Sequence, residues 1–154
     1  MNRVRGGKKA KSYGKAFELA VYEQCQREGL FPIWHPDGCE TIARPPYLIR
    51  TKMPFDFSIL KDSKALFLDA KSFDKNTMSA SDMAEHQVRI LARAEEEGFA
   101  AGYLVYFRKP DKIVFFDAHV LLELGEKGGS IKWEDGLLCG HIQNFKIRLI
   151  AFLG

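Results

Sequence analysis

The sequence predicts an α/β fold, a mixed β-sheet core flanked by helices. Three observations carry that expectation. The stretch Phe55–Lys71, FDFSILKDSKALFLDAK, holds two strand-like runs, Phe55–Leu60 and Ala65–Ser72. Between them, Lys61-Asp62-Ser63-Lys64 has the polar composition of a hairpin loop. Apolar side chains recur at helical spacing from Ser12 to Glu28. A second helical pattern, to about Glu97, is followed by the nearly continuous apolar run Ala100–Phe107. Strand, helix and strand from Ala65 to Phe107 therefore succeed one another as in a β-α-β crossover, with the last strand buried on both faces.

The elements follow in order. Residues 1–11 read as a flexible basic arm, with Gly6-Gly7 loosening it. Residues 12–154 read as one domain, a length that supports a single sizeable core. The first helix begins near Ser12 and stops at Gly29, with Phe17, Ala20, Val21, Gln24 and Cys25 as its buried stripe. Glu18 borders that stripe. Leu30–Trp34 is a short strand ended by His35-Pro36-Asp37-Gly38, a turn by composition. Cys39–Ala43 returns as a second strand, and Arg44-Pro45-Pro46 interrupts it because proline cannot continue a ladder.

After the Phe55–Ser72 hairpin, Phe73–Ala80 reads as a loop, and Ser79 with Asp82 resembles a capping box. The helix that follows turns Met83, Gln87, Ile90, Leu91 and Ala94 inward and leaves His86 at the surface. Lys109-Pro110-Asp111 turns the chain into Ile113–Phe116, and Asp117 caps a short helix reaching Leu124. Glu126–Ser130 is a Gly-rich loop, Trp133 packs on the core, and Ile147–Leu153 reads as a terminal strand or a dimer contact.

The hairpin concentrates the chemistry. With Leu60 facing Ala65, counting outward sets Asp56 opposite Asp69. Strand alternation gathers Phe57, Ile59, Leu66, Leu68 and Ala70 on one face and Asp56, Ser58, Asp69 and Lys71 on the other. Directly opposed residues have Cβ atoms about 4.5–5.5 Å apart, so two carboxylates there repel. A divalent cation offsets that repulsion, since hard ions such as Mg²⁺ bind one or two carboxylates plus phosphate and water oxygens. Lys71 points the same way, where it can hold a phosphate or lower the pKa of a metal-bound water. On spacing alone, a salt-bridged sheet edge remains an equal alternative.

Asp56 followed thirteen residues later by Asp69-Ala70-Lys71 resembles the PD-(D/E)xK nuclease signature, with the usual Pro-Asp relaxed to Met53-Pro54-Phe55-Asp56. Gly14-Lys15-Ala16-Phe17-Glu18, Arg44-Pro45-Pro46 and Gln87 extend the resemblance to the RecU-type Holliday-junction resolvases, in that family's order from about Ser12 to Leu124. The resemblance implies a restriction-endonuclease-like fold and a homodimer that cuts opposed strands of a four-way DNA junction. It implies Mg²⁺ or Mn²⁺ on Asp56 and Asp69, with Glu18 as a third carboxylate, Lys71 orienting water and balancing charge, and Gln87 helping position metal-bound water. Read without the family, Glu18 is an exposed helix glutamate and Gln87 a buried amide that must find partners. The family's junction-entering stalk would be short here, about residues 44–53.

Charge is uneven along the chain. The first fifteen residues hold Arg3, Arg5, Lys8, Lys9, Lys11 and Lys15 and no acid, whereas the rest carry 17 basic against 20 acidic groups. A positive arm on a mildly acidic body suits a polyanion. Arg44, Arg50 and Lys52 offer further phosphate contacts, and Tyr47 a stacking surface.

At 46% hydrophobic and 28% charged residues the composition is that of a soluble globular protein, with no apolar run long enough to span a bilayer. Cys25, Cys39 and Cys139 are odd in number and widely spaced, as expected for reduced thiols in a cytoplasmic protein. No CxxC pair supports zinc at His35, Cys39, Cys139 and His141, and no Ser-His or Cys-His arrangement calls for a covalent intermediate. Two other functions compete with junction resolution: an endonuclease of the same superfamily acting on linear duplex or flap DNA, and a non-catalytic DNA-binding module. Crowded carboxylates facing DNA serve no purpose in a module that only binds.

Overall fold

In the computed structural model the described residues are 4–35, 39–44, 47–52 and 54–152, with side chains described for 11–35 and 54–152. Strand β5 (Lys64–Phe73) is the pivot of a seven-stranded mixed sheet. Its partner β4 (Phe57–Lys61) returns through Asp62 and Ser63, whose φ angles of 49° and 62° make a tight two-residue turn. The turn is thus shorter than the polar stretch predicts, because Lys61 and Lys64 pair across the ladder. The expected register holds, with Leu60 opposite Ala65 and Phe57 opposite Leu68.

The remaining strands are β1 (Phe31–Trp34), β7 (Ala100–Phe107), β8 (Lys112–Asp117), β10 (Leu137–His141) and β11 (Asn144–Phe145), in the order β1-β4-β5-β7-β8-β10-β11. β5 and β7 run parallel, as the crossover requires, and the other neighbours are antiparallel. Two short ladders lie outside this sheet: β2 (Cys39–Arg44) with β3 (Tyr47–Lys52), and β6 (Thr77–Ser79) with β9 (Ser130–Lys132).

Helix α1 (Val4–Arg27) lies on one face, where Phe17, Val21 and Cys25 pack with Phe57, Ile59, Leu66 and Leu68. Helices α2 (Glu85–Glu96) and α3 (Ala118–Lys127) cover the other, where Val88, Leu91 and Leu121 meet Tyr103, Val105, Phe107 and Phe116. Burying each large apolar side chain contributes roughly 1.5–3 kcal/mol. Trp133 packs partly buried against this second cluster, as the sequence predicts.

The structure corrects several expectations. Helix α1 begins at Val4 rather than near Ser12, so it takes in part of the basic segment. Extending a formed helix costs far less than nucleating one, and the Arg, Lys and Ala of this segment are good helix formers. The stalk-like segment is the second half of a hairpin that begins at Cys39, with Arg44 and Tyr47 paired at its end. Ser79 and Asp82 do box a cap, but over a single 3-10 turn, Ala80–Asp82, and α2 starts only at Glu85. Its buried residues are Gln87, Val88, Leu91 and Ala92, and Ile90 is exposed. The two regions read as loops, 73–80 and 126–130, instead supply β6 and the start of β9. Ile147 is buried and is followed by a short helix α4 (Arg148–Ala151) rather than a strand.

Candidate active site

β5 outruns β4. Their ladder ends at Phe57 and Leu68, while β5 goes on pairing with β7 from Asp69–Tyr103 to Phe73–Phe107. Asp56 sits one residue beyond the end of β4, where its Oδ2 accepts a 2.8 Å hydrogen bond from the Ala70 N–H. The carboxylate thereby takes the place of the carbonyl that a longer β4 would supply.

Asp69 is 1% exposed, on the opposite face of β5 from Ala70. Gln87 Nε2, from the first turn of α2, donates to Asp69 Oδ1 at 3.2 Å. Lys71 Nζ lies 2.7 Å from Asp69 Oδ2 in an ion pair. That ammonium is the one close partner of the buried Oδ2 among the described residues. Gln87 Oε1 accepts from both Lys71 Nζ and the Tyr103 hydroxyl at 3.2 Å, and the Tyr103 oxygen accepts from the Ala84 N–H at 3.3 Å. Gln87 is therefore a spacer that holds the carboxylate and the ammonium of the Asp-x-Lys pair in place. Glu18 reaches the cleft from α1 and pairs with Lys15 at 3.1 Å. At 6% exposure it is buried, not merely at the border of the stripe.

Burial raises the Asp56 carboxyl, the Asp69 charge raises it further, and Glu18 adds to both; the Ala70 N–H opposes them, and the result is pushed up to about 9. Burial disfavours the Lys71 ammonium, but the Asp69 carboxylate more than offsets this and holds it above the ordinary lysine value. Lys71 is thus a cation in this site and not a free base.

The structure brings Glu18, Asp56, Asp69, Lys71 and Gln87 together with Lys11 and Lys15 around one cleft of about 540 Å³. Arg3 lies outside the described residues, as do the side chains of Arg5, Lys8, Lys9, Arg44, Arg50 and Lys52. Among the described residues no three His, Cys, Asp or Glu side chains form a complete metal-ligand group. Mg²⁺ does not require one, because it completes its shell with phosphate and water oxygens. The neighbouring carboxyl groups of Asp56 and Asp69 fit such an ion, which would relieve the crowding that raises Asp56.

Two neighbours of the site escaped the sequence reading. Tyr103 belongs to an apolar run, and only the β5–β7 register shows that it lies beside Asp69. His35 Nε2 lies 2.8 Å from Ser58 Oγ, and the His35 N–H donates to the Asp56 carbonyl at 2.7 Å. A Ser-His contact therefore exists, formed between strands where no local spacing announces it.

A mixed sheet flanked by helices, with an acid and a lysine on a strand that outruns its neighbour, defines a restriction-endonuclease-like fold. Among solved structures it is similar to Hjc, a Holliday junction resolvase from the archaeal hyperthermophile Archaeoglobus fulgidus, with a TM-score of 0.57 at 18% sequence identity. The match covers 81% of this chain and 95% of that one. No protein-family model and no curated protein matches the sequence.

Proposed function

We propose that this chain is a metal-dependent endodeoxyribonuclease that resolves four-way DNA junctions by paired phosphodiester hydrolysis, in the manner of the RecU-type resolvases its motifs resemble. The observation that carries the reading is the crowding of the Asp56 and buried Asp69 carboxyl groups in an open cleft beside Lys71. A binding module would gain nothing from that arrangement, and the fold is shared with a junction resolvase.

Asp56 and Asp69 would hold Mg²⁺ or Mn²⁺, with Glu18 as a third carboxylate. The ion would polarise the scissile phosphate and supply a hydroxide-like nucleophile. The protein's own residues do the rest. Gln87 fixes Asp69 and Lys71 relative to each other. The Lys71 ammonium stabilises the charge that builds on the phosphoryl oxygens. Lys11 and Lys15 at the cleft wall draw in the nucleic-acid backbone. Two copies related by a two-fold axis would present two such clefts to the equivalent strands of a junction.

The test is cleavage of a four-way junction against linear duplex of the same sequences, with Mg²⁺ and with chelator. The expected result is metal-dependent paired nicks in the junction with the duplex spared. Equal cutting of duplex or flaps would remove junction selectivity, and binding without cutting in either metal would remove the nuclease.

A further inference from the structure

Helix α1 presents one face to the cleft. Lys11, Gly14, Lys15 and Glu18, at helical spacing i, i+3, i+4 and i+7, all line it. Gly14 is the break in that row, since its three neighbours carry long side chains and it carries none.

The fold does not account for the break. A Cβ on Gly102 would stand 2.0 Å from the Phe116 carbonyl oxygen, one on Gly136 2.4 Å from Val114 Cγ1, and one on Gly140 2.1 Å from the Asn144 carbonyl oxygen. A Cβ on Gly125 would touch Met83 at 3.6 Å. Gly29, Gly98, Gly128 and Gly129 hold positive φ angles that side chains rarely adopt. Gly14 meets neither condition. It lies mid-way along a 24-residue helix without a positive φ, and a Cβ there would meet nothing within 4 Å among the described residues.

Glycine is the poorest helix former after proline, and alanine the best, so the helix by itself favours a side chain at this position. What Gly14 keeps open is the cleft. A methyl group would hold an approaching atom about 3.5–4.0 Å from its carbon. Glu18, the third carboxylate of the proposed metal site, follows on the same face, and residues four apart on a helix have Cβ atoms about 5–6 Å apart. A strand whose phosphate reaches those carboxylates therefore passes within about one helical turn of Gly14.

We propose that Gly14 is a close-approach site for the nucleic-acid backbone: the strand carrying the scissile phosphate rests against the α1 backbone between Lys11 and Glu18, in space that any side chain would fill. The inference rests on the nucleic-acid reading above. Lys11 and Lys15 supply attraction, and Gly14 sets how deeply the strand can seat.

Stability and function should respond with opposite signs. G14A should raise the metal-free melting temperature by about 2–4 °C, because alanine favours the helix and meets no neighbour. Binding of a fluorescently labelled four-way junction is measured by anisotropy in chelator. Affinity should fall several-fold in G14A and roughly tenfold or more in G14L, the scale of overfilling a close contact. The salt slope should stay unchanged because no charge is lost. Cleavage with Mg²⁺ should fall in the same order. A16L, which enlarges an exposed residue on the far side of α1, should bind and cut as the natural sequence does. G14A and G14L at natural affinity and cleavage rate would overturn the close approach. Equal losses in G14L and A16L would overturn it too, as would a G14A that melts lower, since the glycine would then serve the helix. If G14L does not fold, G14A decides: a stabilised G14A at natural affinity overturns it. A protein that binds the junction with this size dependence yet never cuts would keep the close approach and remove the nuclease; one that binds no DNA would remove both.

Discussion

Burial and the neighbouring Asp69 carboxylate push Asp56 up to about 9, well above the ordinary value of 3.8. A group whose folded pKa lies above its unfolded one stabilises the fold fully below the unfolded value and loses that contribution as pH rises through the folded value. Without metal, the melting temperature should therefore fall as pH rises from about 4 to about 9. Asp56→Asn should flatten that fall and melt higher than the natural sequence at pH 8 in chelator. A lower melting temperature for the variant would contradict the crowding of the two carboxylates. Lys71 is shifted in the same sense but from a higher starting value: its ammonium is held by Asp69 and stays charged over this range. The site at neutral pH thus contains a fixed cation beside the Asp56 carboxyl, which a metal would have to deprotonate, and added Mg²⁺ should raise the melting temperature more at pH 8 than at pH 5.

Among the elements, β7 is the most tightly enclosed. It lies between parallel β5 and antiparallel β8 with helices over one face, and Gly102 pairs with Asp117 across the ladder. A Cβ on Gly102 would stand 2.0 Å from the Phe116 carbonyl oxygen and 3.0 Å from the Phe115 ring. The first contact is with backbone, so no rotamer change relieves it. Gly102→Ala should destabilise the protein by about 2–4 kcal/mol, measured by urea unfolding, by forcing β7 and β8 apart. Because β7 also carries Tyr103 beneath Gln87, any folded remainder should cleave more slowly as well. The β4–β5 hairpin behaves differently. Its turn is local, its register follows from turn length and face alternation, and its apolar side is covered by α1.

At the scale of the whole molecule, the proposed paired incision requires two clefts and hence two copies. Light scattering after size exclusion should report about twice the mass of the 154-residue chain, both free and with one junction bound. A monomer that stays monomeric on the junction would remove the paired mechanism while leaving the cleft intact. No helix among the described residues is long and apolar enough to cross a membrane.

Much of this protein is determined by sequence alone. The hairpin that sets Asp56 next to Asp69 follows from a side-chain period of two and a short polar turn, both of which are local. The choice of Glu18, Asp56, Asp69, Lys71 and Gln87 was open to sequence reading because their residue types and order resemble a known motif, and the fold gathers all of them in one cleft. Ile90 fits the helical spacing yet lies exposed, because the sheet and α3 cover the flank of the Gln87–Leu91 stripe that carries Val88 and Ala92. Tertiary structure alone decided that Tyr103 holds Gln87, that His35 meets Ser58, and that Arg108 stacks on Tyr13. These pairs join different elements, and their contact depends on which strands neighbour one another and where the helices cross the sheet. No local periodicity carries that information, because it arises only when the two cores pack on opposite faces of one sheet.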